Sequence, residues 1–132
     1  MVQDEIYEMF KQKYPLCFEQ EGCCMDFGLS HESGWNAILE QLFSKIEKRL
    51  SENDDLRDPD MGFRIDQIKE KFGTLRIYVT TMDNQIHDWV NEAEKASETT
   101  CEICGNEGSL HKKGIWLKTL CPHCAEKMNY EV

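Results

Sequence analysis

Two cysteine pairs, Cys101-Glu-Ile-Cys104-Gly and Cys121-Pro-His-Cys124, constrain this chain more than any other feature. Each CxxC step offers two thiolates to one ion. Sixteen residues separate the pairs, enough for a β-hairpin that folds one onto the other. Tetrahedral Zn2+ takes four such ligands at this kind of spacing. The expectation is one structural zinc held by Cys101, Cys104, Cys121 and Cys124, with His111 and His123 as spare nitrogen donors. The glycine after Cys104 lets the backbone turn its amides toward the thiolates. Residues 109–120 suit a short hairpin turning at Lys113-Gly114. Cys121 to Met128 reads as the first turns of a helix, with Pro122 tolerated at its start. Knuckle, hairpin and helix start make a treble-clef-like order, with a zinc ribbon as the alternative.

The remaining cysteines are Cys17, Cys23 and Cys24, making seven in all. An odd count and an acidic N-terminus (MVQDEIYEMF) without a basic-then-apolar signal predict free thiols in a reducing cytoplasm. These three read as small, partly buried residues. The alternative is a second metal site with His31. No apolar run approaches the length of a membrane span.

Ahead of the cysteine pairs, hydrophobic periodicity marks three helices and a hairpin. Residues 3–14 carry Ile6, Met9 and Phe10 on one stripe and stop at Pro15. Residues 16–34 are irregular. Residues 35–50 present Trp35, Ile38, Leu39, Leu42, Phe43, Ile46 and Leu50 on one broad face, with Ser33 as expected N-cap. Residues 51–60 form an acidic turn region. Over 61–80, Met61, Phe63 and Ile65 alternate with polar residues, as do Leu75, Ile77 and Val79, so a hairpin turning within Lys69–Gly73 is predicted. Pairing odd residues with odd would put Arg64, Asp66, Arg76 and Tyr78 on the face away from the core. Residues 84–97, capped by Asp83, carry Ile86, Trp89, Val90, Ala93 and Ala96. Trp35, Trp89 and Trp116 all read as anchors of apolar faces. The fold expected is α+β, with helices on one face of a small antiparallel sheet. An acidic body spans 1–98, with a zinc-binding module over 99–132 packed on it.

The formal charge is −10, and residues 1–100 carry all of it. Such a body argues against non-specific nucleic-acid binding, which needs a basic face, and suits a basic protein partner. One local exception is Arg64, Lys69, Lys71 and Arg76, opposed within that stretch only by Asp66 and Glu70. These four are candidate ligands for a small anion or nucleotide, with cross-strand salt bridging as the plainer reading.

The run Gln67-Ile-Lys-Glu-Lys-Phe-Gly-Thr-Leu-Arg-Ile-Tyr78 resembles the central signature of a family of small proteins in bacteria and their phages. Gly34-Trp35 before it matches that family's pattern. So do Ala93–Ser97 leading into CxxCG, then Gly114-Ile-Trp116 and Thr119-Leu-Cys121-Pro-His-Cys124. The resemblance covers residues 28–125. It implies zinc binding and a cytoplasmic bacterial or phage setting, and brings no activity with it. The leading functional expectation is a zinc-stabilised, non-enzymatic interaction protein, such as a phage accessory or counter-defence factor. The alternatives are a small-anion or nucleotide binder and a nuclease-like enzyme.

Overall fold

The structure, a computed structural model, describes residues 3–20 and 31–132 of the chain. Among these residues the architecture is α+β: four α-helices and two separate two-stranded antiparallel sheets. Helix α1 spans Gln3–Lys13, and its chain turns away at Pro15. Ile6 and Phe10 face inward. Beyond Pro15, the amides of Leu16 and Cys17 donate to the Glu47 carboxylate at 3.1 and 3.0 Å, tying this segment to the second helix.

Helix α2 spans Asn36–Glu52 and follows a 3-10 turn over Ser33–Trp35. Trp35, not Ser33, occupies its N-cap position, without a side-chain cap. The Ser33 hydroxyl instead donates to the Ile103 carbonyl at 3.4 Å. A tertiary contact has displaced the expected local cap, and the 3-10 turn precedes the helix in its place. The buried stripe of Leu39, Leu42, Phe43, Ile46 and Leu50 is the expected one. Phe43 is ringed edge-on by Phe10 and Phe18 at 5.3 and 5.1 Å.

Strand β1 (Arg64–Lys71) pairs with β2 (Thr74–Thr80). The turn is only Phe72-Gly73, with φ of 54° and 84°. Two positive φ values suit the tight primed turn that matches strand twist. The strands therefore run closer to the turn than predicted. Helix α3 (Asn84–Ser97) packs against β2 and α2. Asp83 caps it, accepting the Ile86 amide at 3.1 Å, and forms a two-pronged pair with Arg49 at 2.6 and 2.8 Å. Its stripe ends in buried Ser97 rather than Ala96, which is exposed. The Ser97 hydroxyl accepts the Leu75 amide at 3.0 Å, while Glu94 accepts that of Ile77 at 2.8 Å. Side chains of α3 thus satisfy amides of β2.

The C-terminal hairpin joins β3 (Ser109–Lys113) to β4 (Trp116–Leu120), and helix α4 spans Pro122–Met128. Gly114-Ile115 makes its turn, one residue later than predicted. Two apolar cores result. The larger joins α1, α2, β1, β2 and α3; the smaller holds Cys101, Leu120, Cys121, Cys124 and Ala125. Trp35 is completely buried, but Trp116 is 67% exposed and belongs to neither apolar core among the described residues. Met61 is likewise exposed rather than part of the hairpin's inner face. No helix among the described residues is long and apolar enough to cross a membrane.

Candidate metal centre

Cys101 and Cys104 lie on a tight loop in which the Gly105 amide donates back to the Cys101 carbonyl at 2.9 Å. Gly105 takes φ of 82°, the turn that its position after Cys104 implied. Cys121 is the N-cap of α4, its sulfur accepting the Cys124 amide at 3.4 Å. Hairpin β3–β4 carries the second pair back to the first. The four sulfur atoms all lie within 4.8 Å of one another, and Cys104 Sγ is 3.6 Å from Cys121 Sγ. A metal bound by four sulfurs at about 2.3 Å requires sulfur–sulfur edges of about 3.8 Å. The cluster is therefore near the size that such an ion needs. Cys101, Cys121 and Cys124 are buried and Cys104 is exposed.

The electrostatics favour a cation here. Burial pushes the Cys101 thiol up, but the amides of Cys104, Cys121 and Ile103 outweigh it and bring its pKa down to about 7. Cys124 is pushed up to about 12, first by burial and then by the neighbouring thiols. The cluster thus eases one ionisation while resisting those of Cys104 and Cys124. A bound divalent cation lowers that resistance by offsetting half the charge of four thiolates and ligating each of them directly. Neither spare imidazole joins the cluster: His111 is buried with its Nδ1 at 2.8 Å from the Ser109 carbonyl, and His123 is exposed.

The centre is fastened to the larger core by a dense seam. The Gly34 amide donates to the Glu102 carbonyl at 2.6 Å, and the Trp35 indole donates to the Thr100 carbonyl at 2.8 Å. A β-carbon at Gly34 would sit 2.2 Å from the Cys101 carbonyl oxygen, so the two backbones touch. On the other side, Thr119 donates to the Gly73 carbonyl at 2.7 Å, in a buried bond. Gly34-Trp35, the Gly73 turn, the cysteine loop and Thr119-Leu-Cys121 meet at this seam, while Gly114-Ile-Trp116 lies exposed.

Glu102 is the seam residue that sequence reasoning missed. It is 1% exposed, pairs with Lys118 at 3.2 Å and accepts the Glu32 amide at 3.3 Å. Burial raises its carboxyl above the ordinary range, against the opposing pull of Lys118. Nothing about a glutamate between two cysteines signals burial; only the lysine sixteen residues on, across the hairpin, explains it.

Cys17 lies elsewhere, fully buried in the larger core, with its thiol donating to the Phe43 carbonyl at 3.5 Å. Burial, with Glu47 beside it, pushes that thiol far above its ordinary value. His31 stacks on Trp35 and hydrogen-bonds Asn36 at 3.0 Å. Among the described residues no second group of three or more metal-competent side chains forms. Cys23 and Cys24, the other members of the alternative site, lie outside the described residues.

The four hairpin cations share one face, for a reason the sequence reading did not contain. The register shifts between Ile65 and Gln67, leaving Asp66 as a β-bulge. Before it, Ile65 pairs with Val79; after it, Ile68 pairs with Ile77 and Lys69 with Arg76. The predicted odd-with-odd pairing therefore ends at Asp66. Strict alternation would have put Lys69 and Lys71 on the core side, away from Arg64 and Arg76. The bulge returns all four, with Tyr78, to the outer face. Arg64 is neutralised there by Asp66 at 2.7 Å and also reaches Thr80 at 3.2 Å. Arg76 bonds Thr74 at 3.1 Å. Comparison of the chain with protein-family models, with curated proteins and with solved structures gave no match.

Proposed function

We propose that this chain is a zinc-stabilised interaction protein without catalysis of its own, in which the cysteine centre braces a surface read by a protein partner. The observation that carries the reading is the convergence of four sulfurs within 4.8 Å. An all-sulfur set of four fills the zinc tetrahedron and leaves no position for a reacting water, the mark of a structural rather than a catalytic ion. The order of knuckle, hairpin and helix start is treble-clef-like. The free thiols suit a reducing cytoplasm, and the resemblance to small bacterial and phage proteins supports an accessory or counter-defence role. The charge of −10 favours a basic partner surface. Affinity capture of the intact protein, followed by native mass measurement, tests this reading. It expects one defined protein partner at stoichiometric yield, lost in Cys121→Ser. Recovery of the free chain alone from every source tried would sink it.

A second reading is favoured by the bulge: the outer face of β1–β2 takes an anionic ligand. Its support is that Lys69, Lys71 and Arg76 share that face and none pairs with a carboxylate among the described residues.

A further inference from the structure

We propose that the outer face of the β1–β2 hairpin binds single-stranded nucleic acid. The inference rests on the second reading above and specifies its ligand. The cations are spread over both strands on the outer face of the sheet rather than around an enclosed cavity. Lys69 and Lys71 are two residues apart on one strand, a separation of about 7 Å, and Arg76 stands opposite Lys69. A depression that reaches Arg76 is also lined by Glu94 and Glu98, whose carboxylates oppose a phosphate. A mononucleotide wants a concave site with converging donors. Spaced cations on a flat face match a polymer whose charges repeat along its length.

The exposed rings choose among polymers. Tyr78 and Phe72 are 41% and 65% exposed on or beside this face. Lys69 Nζ lies 5.7 Å from the Tyr78 ring centre, and Lys71 Nζ lies 5.5 Å from that of Phe72. Rings interleaved with cations are what unpaired bases stack on. An acidic peptide would use the lysines and leave the rings idle, and a duplex keeps its base faces within its own stack. The overall negative charge does not forbid contact. At physiological salt the screening length is about 8 Å, so local sign governs at contact distance. It does remove long-range steering, so association is modest in rate.

Fluorescence anisotropy of the intact, metal-loaded protein with end-labelled single-stranded RNA and DNA tests this. With Arg64 held by Asp66, three free cations predict a log–log salt slope of about −2. Lys71→Ala should reduce that slope by about 0.7. Tyr78→Ala should weaken binding about fivefold or more and leave the slope unchanged. Both positions are exposed, and unchanged metal content and circular dichroism confirm that the variants fold. Equal competition by poly-glutamate or by duplex DNA would overturn the single-strand proposal while leaving an anion-binding face. So would a nucleoside triphosphate binding as tightly as the oligonucleotide. If none of these anions binds at low salt, the proposal and the second reading both fall.

Discussion

At Gly34 a single hydrogen atom separates the body from the cysteine loop. A methyl group there would collide with the carbonyl carbon and oxygen of Glu102 and with the Cys101 carbonyl oxygen at 2.2–2.4 Å, all backbone atoms that cannot step aside. Gly73 is tight in a different way. Its nearest obstacle is the end of the Leu110 side chain at 2.8 Å, but its φ of 84° penalises any side chain. Urea denaturation should therefore rank Gly34→Ala as the worse change, at about 3 kcal/mol or more, with Gly73→Ala costing about 1–2 kcal/mol. The reverse order would mean that the contact at Gly34 relaxes easily. His31 supplies a pH prediction. Burial lowers its pKa below the ordinary value, opposed by its bond to Asn36 and by Glu32. The unfolded chain then binds the proton more readily, so stability is full above about pH 6.5 and falls as pH drops from there toward the folded-state value. A stability–pH curve should show this loss, and His31→Gln should flatten it between pH 7 and 5.5. An unchanged slope would assign the loss to other groups.

Among the elements, the helices were legible because their apolar stripes repeat at helical spacing, and Asp83 was legible as a cap. The hairpin register was not. Its clue was present: Ile65 and Ile68 are both buried yet three residues apart, which strict alternation cannot deliver without an extra residue between them. Phe63 and Ile65 masked it by keeping the period up to that point. This gives an element-scale test. Deleting Asp66 leaves Arg64, Ile65, Gln67, Ile68 and Lys69 in strict alternation, so the fold should survive at a cost of about 1 kcal/mol for the lost Arg64 and Thr80 contacts. Deleting Lys69 instead shifts the parity at Lys71 and should cost several times more by thermal denaturation. Equal costs would contradict the assigned bulge. Ser97→Ala probes the neighbouring edge. It strands the buried Leu75 amide, and about 1–3 kcal/mol should be lost in urea melts.

Over the whole molecule, the C-terminal core has five buried members, and three of them are cysteines of the cluster. Leu120 and Ala125, with the half-buried Ile103, Met128 and Tyr130 against them, make a small core for some thirty residues, so a metal bound at the cysteine cluster would add stability that packing supplies poorly. An apparent binding free energy of about 10–16 kcal/mol for a structural zinc is comparable with the stability of a whole domain. Removing it should loosen the cysteine loop and α4 first, then the Gly34 and Thr119 seams, while the larger core persists. The convergence of the four cysteines was legible because two CxxC pairs at this interval have the spacing that coordination chemistry uses. The seam was not, since Glu102, Lys118 and Thr119 reveal their partners only in three dimensions. Native mass spectrometry of freshly purified protein, with no metal added, tests the central claim most directly. One zinc per chain, released together with loss of amide protection in the cysteine loop and α4, is the result expected. A chain carrying no metal, or one whose four cysteines are joined as disulfides with the same fold, would contradict it.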